Sequence, residues 1–287
     1  MTDWYFFSIA ALLLLGGQRF LYKVAAERNC SSALTTAVFM GTVTLLSGAV
    51  FLASGESAGE ISTLFVLALV NSASFALATV AHMEALKHLP ATVTFPITRL
   101  SILAVIVFSI VYFGERPQPL QVGGMLLGLS VVFVFAGEAG DKSKARGNPR
   151  TGFLFAAACV LCGAVASISS KFAAVSTSKA GFMALSYLLG TLFALALARR
   201  NRGGKSSWVN AGEAVRIGLF MGVLNFFGFY AFLTALESGP LSVIALVTGM
   251  HFVIAVALSV LLYRERMTPR RILGIGLTLL AVVFLQL

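Results

Sequence analysis

The stretch ALKHLPATVTFPITRLSILAVIVFSIVYFGERPQPLQVGGMLLGL (85–129) returns without a gap as ALESGPLSVIALVTGMHFVIAVALSVLLYRERMTPRRILGIGLTL (235–279). Ala85, Leu86, Pro90, Val93, Thr98, Ser109, Glu115, Arg116, Pro119 and Gly124 fall on Ala235, Leu236, Pro240, Val243, Thr248, Ser259, Glu265, Arg266, Pro269 and Gly274. Shared apolar composition supplies Leu and Val matches by chance, but not two prolines and a Glu-Arg pair in one register. The chain is therefore read as a duplicated unit, residues 1–137 and 151–287, joined by a basic linker over 138–150.

Hydrophobic residues make up 58% of the 287 and charged residues 11%, a balance foreign to soluble domains. Apolar segments suited to crossing hydrocarbon recur at 5–24, 33–53, 61–86, 91–113, 119–137, 151–174, 180–198, 213–236, 241–262 and 271–287. That makes ten spans, five in each unit. The longest connection, GEAGDKSKARGNPR (137–150), is too small and polar to fold alone. The first segment lacks the basic start and cleavage site of a signal peptide and is read as a retained span. An odd number of spans obliges the second unit to enter the membrane from the opposite face. The predicted fold is thus all-α, with ten transmembrane helices as two inverted five-helix repeats related by a pseudo-two-fold axis in the membrane plane. Secondary transporters use that arrangement to expose a midplane site alternately to either side.

Charge predicts orientation. With the termini on one face, that face holds Arg116, Lys171 and Lys179, while the loops of the other hold Arg28, Lys142, Lys144, Arg146, Arg200 and Arg271 among many more. The positive-inside rule then places both termini outside a cell membrane, expected to be a bacterial inner membrane. The same loops account for the net charge of +10, so the lipid bilayer is the partner they imply and nucleic acid is not. Cys30, Cys159 and Cys162 are odd in number, and the last two sit in an apolar span without His or acidic neighbours, so they read as small buried hydrophobes. No metal-ligand cluster, phosphate-binding loop or nucleophile-base pair stands out, so neither an enzyme nor a cofactor is expected.

Polar residues inside the spans mark the candidate site. Arg99 lies about nine residues into span four, roughly 13 Å at helical rise, close to the midplane. No acid stands three or four residues away on that span. Either it pairs across helices, with Glu84 or with helix-end carbonyls, or its planar fork of donors binds an anionic group of the substrate. His251 falls two positions beyond the Arg99 equivalent in the second unit. It is read as a substrate donor or a proton acceptor coupling transport to a proton gradient, against packing in the bundle. Asn71 and Asn225 occupy the middles of spans three and eight, facing a wet cavity or bonding neighbouring helices. Gln18 and Tyr230 complete the predicted substrate-binding set, with Phe75, Phe226, Phe227 and Phe229 as candidates for an apolar moiety.

Arg19, Lys23, His82 and Glu84 share one end of their spans, and an Arg19–Glu84 gate or salt bridge is expected among them. Lys23 and Lys171 join that gating set unless they merely snorkel to the interface. Pro90 and Pro240 start spans four and nine, and Pro96 is expected to interrupt the hydrogen-bond ladder just before Arg99. Gly124-x-x-x-Gly128 and Gly218-x-x-x-Gly222 allow close helix approach, within a monomer or across a homodimer.

An alanine-leucine and proline opening a span that closes with aromatic-Gly-Glu-Arg, as in ALKHLPATVTFPITRLSILAVIVFSIVYFGERP, resembles the signature of the EamA-type, ten-helix members of the drug/metabolite transporter superfamily. Its second appearance strengthens the likeness, as do Lys23 in FLYKVAAE and Lys171 in SSKFAAVS. The resemblance implies a carrier whose cavity is lined by spans one, three, four, six, eight and nine. Such carriers are known for amino acids, metabolites, nucleotide-linked sugars and drugs, and several are described with both termini inside; the charge asymmetry points the other way and is followed here.

No Asp lies in any span and Glu84 is near a span end, so the intramembrane balance is positive. That favours a small anionic or zwitterionic metabolite, an amino acid or organic acid ahead of a phosphorylated one, because Arg99 is the one central arginine. Carriers of cationic drugs or nucleotide-linked sugars are the alternative substrates. A non-transporting packing or sensor protein is the alternative class, but it leaves the inverted duplication unexplained.

Overall fold

The computed structural model describes residues 3–55, 60–89, 91–136, 148–200, 210–264 and 267–286, and among them every element is helical. The elements are α1 (Asp3–Glu27), α2 (Ser32–Ser54), α3 (Ile61–His88), α4 (Ala91–Tyr112), α5 (Pro119–Ala136), α6 (Pro149–Ser176), α7 (Lys179–Arg200), α8 (Ala211–Ser238), α9 (Leu241–Gly249), α10 (His251–Tyr263) and α11 (Pro269–Gln286). Helices are the natural form for such sequences, since hydrocarbon offers backbone groups no partners outside their own segment. Local signals set several ends. Ser31 caps α2 by accepting from Leu34 N, and Gly55 closes it in the left-handed region at φ 60°. Asn148 accepts from Arg150 N at 3.0 Å, with Pro149 in the first turn of α6.

Each predicted span coincides with a helix to within a few residues, except that span nine is two helices meeting at Met250. There Met250 N reaches Leu246 O and Val247 O, both at 3.2 Å, and Val253 N restarts the ladder on Met250 O at 2.9 Å. Pro240 precedes the start of α9 as expected, whereas Pro90, the 138–147 portion of the linker, and Glu265 and Arg266 lie outside the described residues. At Pro96, α4 runs on without ending, although proline supplies no N–H to the ladder there. The helix ends instead in the other repeat, at Met250 just after Gly249, the equivalent of Arg99, where a residue without a side chain favours a helix weakly. Seven helical stretches among the described residues are long and apolar enough to cross a membrane, Leu241–Tyr263 counting as one, and three more are shorter apolar helices.

Helix neighbours exchange in pairs when the two units are swapped. α3 lies along α6 and α1 along α8; α4 meets α6 as α10 meets α1; α2 meets α8 as α7 meets α3; α2 pairs with α7 and α5 with α11. Helix α9 is the most enclosed, buried from Leu241 to Thr248, and among the longer helices α8 has Met221, Leu233 and Leu236 fully buried. Leu45, Leu52, Leu154 and Phe220 point outward, as expected of a surface bathed in acyl chains. The glycine motifs serve contacts inside one chain. A Cβ on Gly218 or Gly222 would lie 2.9 Å from Val38 or 2.5 Å from Thr42 of α2, and one on Gly124 or Gly128 would lie 2.9 Å from Leu285 or 3.1 Å from Leu246.

Candidate substrate site

Arg19 of α1 and Arg99 of α4 come together beside His251 at the start of α10, with His82 of α3 in their electrostatic field. Arg19 Nε donates to His251 Nε2 at 3.1 Å, and His251 Nδ1 lies 2.6 Å from Thr248 O. A guanidinium only donates, so Nε2 is the acceptor and Nδ1 carries the hydrogen that Thr248 O accepts. In this conformation the imidazole is therefore neutral. The two guanidiniums stack on aromatic faces, Arg99 5.5 Å from the Phe252 ring centre and Arg19 5.7 Å from that of Tyr22. Arg19 and Arg99 are near enough to repel one another, and both act electrostatically on His82 and His251. Among the described residues no carboxylate forms an ion pair with either arginine. The pairs Arg28–Glu213 and Lys179–Glu237, the latter at 2.6 Å, lie at the rims. Arg19 stays exposed despite its place within a span, and Arg99 and His251 are half-buried.

The predicted Arg19–Glu84 contact is corrected by this geometry: Arg19 is turned across to α10, and Glu84 is engaged elsewhere. Arg99 likewise has Phe252 and Arg19 for neighbours rather than Glu84. The acid one span away occupies the end of α3, whereas both arginines reach toward the broken span.

The amides sit in helix seams. Asn71 Nδ2 faces Ala166 O, Ser169 Oγ and Ser170 Oγ of α6 at 2.8–3.1 Å, and Asn225 Oδ1 accepts from the Tyr187 hydroxyl of α7. Gln18 is buried beside Arg19 and approaches Tyr22 OH at 3.4 Å. Tyr230 is half-buried against Phe226 rather than beside the arginines. Phe75 and Phe227 are 52% and 56% exposed. Cys159 is buried near Arg99, and all three cysteines are free.

Lys23 and Lys171 play matching parts. Lys23 Nζ lies 5.1 Å from the Tyr263 ring centre and Lys171 Nζ 5.9 Å from that of Phe113, the same register position in the two units. Lys171 is not snorkelling: it donates to Leu236 O and, at 2.9 Å, to Gly239 O, so it satisfies the carbonyl end of α8. Glu115, the acid of the Gly-Glu-Arg motif, caps α9 by accepting from Leu241 N at 2.6 Å and from both the amide and hydroxyl of Ser242.

Sequence reading missed Tyr22, Tyr187 and Phe252. Only the aromatic position shared by Phe113 and Tyr263 had a signal, its place in the repeat.

A duplicated chain whose described residues form apolar helices, seven of them of spanning length, with basic residues between them, defines a polytopic membrane protein by class. The profile of the EamA-like transporter family matches residues 2–137 and again 150–287, so the chain belongs to that family and is a multi-pass membrane protein built from two repeats. A solved crystal structure, one of 29 matching chains, shares 18% sequence identity, covers 99% of this chain and 96% of its own, and superposes with a TM-score of 0.77. It supports the fold alone. No curated protein matches the chain.

Proposed function

We propose that this protein is a secondary carrier that moves a small anionic or zwitterionic metabolite, such as an amino acid or organic acid, by alternating access through the space around Arg99. The observation that carries this reading is the pair of central arginines without a carboxylate partner among the described residues. Charges held at that depth are costly and persist where a ligand compensates them. The odd number of spans per unit and the exchange of helix neighbours support inversion of the repeats, and the basic loops support termini outside an inner membrane. His251 supplies proton coupling in this scheme. An anion that draws Arg19 away frees Nε2 and offsets the positive field of Arg19 and Arg99 that opposes its protonation, so the imidazole takes a proton, and proton loss restores the bond.

Arg99 is the first residue to test. Arg99→Ala is expected to lose binding of a carboxylate-bearing solute by about 2–5 kcal/mol, and Arg99→Lys to lose part of it, because the charge survives without the bidentate fork. Binding and thermal unfolding of the purified protein separate the roles. A variant that unfolds many degrees earlier, or one that leaves every tested anion bound as before, makes Arg99 a structural residue.

A further inference from the structure

Sequence reading assigned one arginine to the centre; the fold delivers two, from α1 and α4, one from the first and one from the fourth helix of the same repeat. We infer that the solute is a small dianion, with its two negative charges on the two carboxylates of a dicarboxylate or together on a phosphate monoester, and that Arg19 and Arg99 each take one. This rests on the anion-carrier reading above and narrows it.

Three observations carry it. Arg19 is held on His251 and Arg99 on the adjacent Phe252, which brings two like charges near one another, and a single carboxylate would leave one of them uncompensated. Arg19 spends Nε on His251, so its two terminal amino groups remain as an end-on fork, and Arg99 donates to no described protein acceptor. Phe252 and Tyr22 each stack against one guanidinium, which orients the two forks without neutralising them. Among the described residues no acid interacts with these arginines closely enough to repel the second charge of a dianion. Both candidate chemistries present oxygens in the planar or tetrahedral spacing that guanidinium forks match.

The test titrates the purified full-length protein at about pH 8, where these anions are fully ionised, with succinate, glycerol 3-phosphate and, as a monoanion of similar size, butyrate. Thermal stabilisation gives each Kd. Succinate or glycerol 3-phosphate is expected to bind at least about tenfold more tightly than butyrate, and whichever does so identifies the dianion class. Arg19→Gln is expected to reduce that preference to about one, and Arg19→Lys to retain it in part. Butyrate binding as tightly as both dianions, or a preference that survives Arg19→Gln, overturns the two-charge inference and leaves the anion carrier standing. Binding of none of the three, butyrate included, counts against both.

Discussion

Replacing Gly16 by alanine tests whether the contact between α1 and α10 holds the central site together. A Cβ at Gly16 would lie 2.4 Å from Ile254 Cβ, 2.7 Å from Ile254 Cγ2 and 3.0 Å from His251 O. Carbon atoms settle at about 3.5–4.0 Å, so the helices must separate by roughly 1 Å or more. Ile254 cannot swing clear, because its Cβ is fixed to the backbone and branched. Arg19 is one turn beyond Gly16, and its 3.1 Å bond to His251 is carried by the same pair of helices. An added 1 Å takes it past the roughly 3.5 Å at which a hydrogen bond ceases to count. Overpacking of this kind costs about 1–3 kcal/mol, and at roughly 2–4 °C per kcal/mol the melting temperature should fall by roughly 2–12 °C. Thermal unfolding in detergent measures the loss, and anion titration measures its effect on the site. Gly41→Ala is the control, since nothing lies within 4 Å of its added Cβ, and it should leave stability unchanged or improve it. A Gly16→Ala protein as stable and as tightly binding as the parent refutes the reasoning.

Three further outcomes are expected. Glu115→Gln turns a charged cap into a neutral one and should cost about 1–3 kcal/mol, with faster hydrogen exchange at Leu241 and Ser242; unchanged protection there would falsify the capping role. His251→Gln should flatten the pH dependence of uptake into proteoliposomes between about pH 5 and 8, because no group then exchanges a proton for Arg19; an unaltered profile makes the imidazole structural. In a background with Cys30 replaced by serine, a cysteine placed at residue 2 should react with an impermeant reagent outside intact cells while one at residue 144 should not, and the reverse pattern inverts the orientation.

The sequence by itself determined where the apolar helical segments lie and that the chain is duplicated. These are one-dimensional properties: an apolar run of about 20 residues spans the hydrocarbon wherever its neighbours lie, and counting from its end places Arg99 or His251 near the middle. Partners were not legible in that way. Arg19 meets His251 across most of the chain, and Asn71 meets the serines of α6 rather than a solute. Lys171 and Glu115 turn out to hold opposite ends of the α8–α9 junction, and the glycines of α8 bed against α2 within one molecule. Tertiary structure alone decided these, because the side of a helix that a residue faces depends on which helix packs there. In a chain apolar around nearly every helix, the hydrophobic pattern marks no preferred face, so close packing of small residues and interhelical hydrogen bonds make the choice.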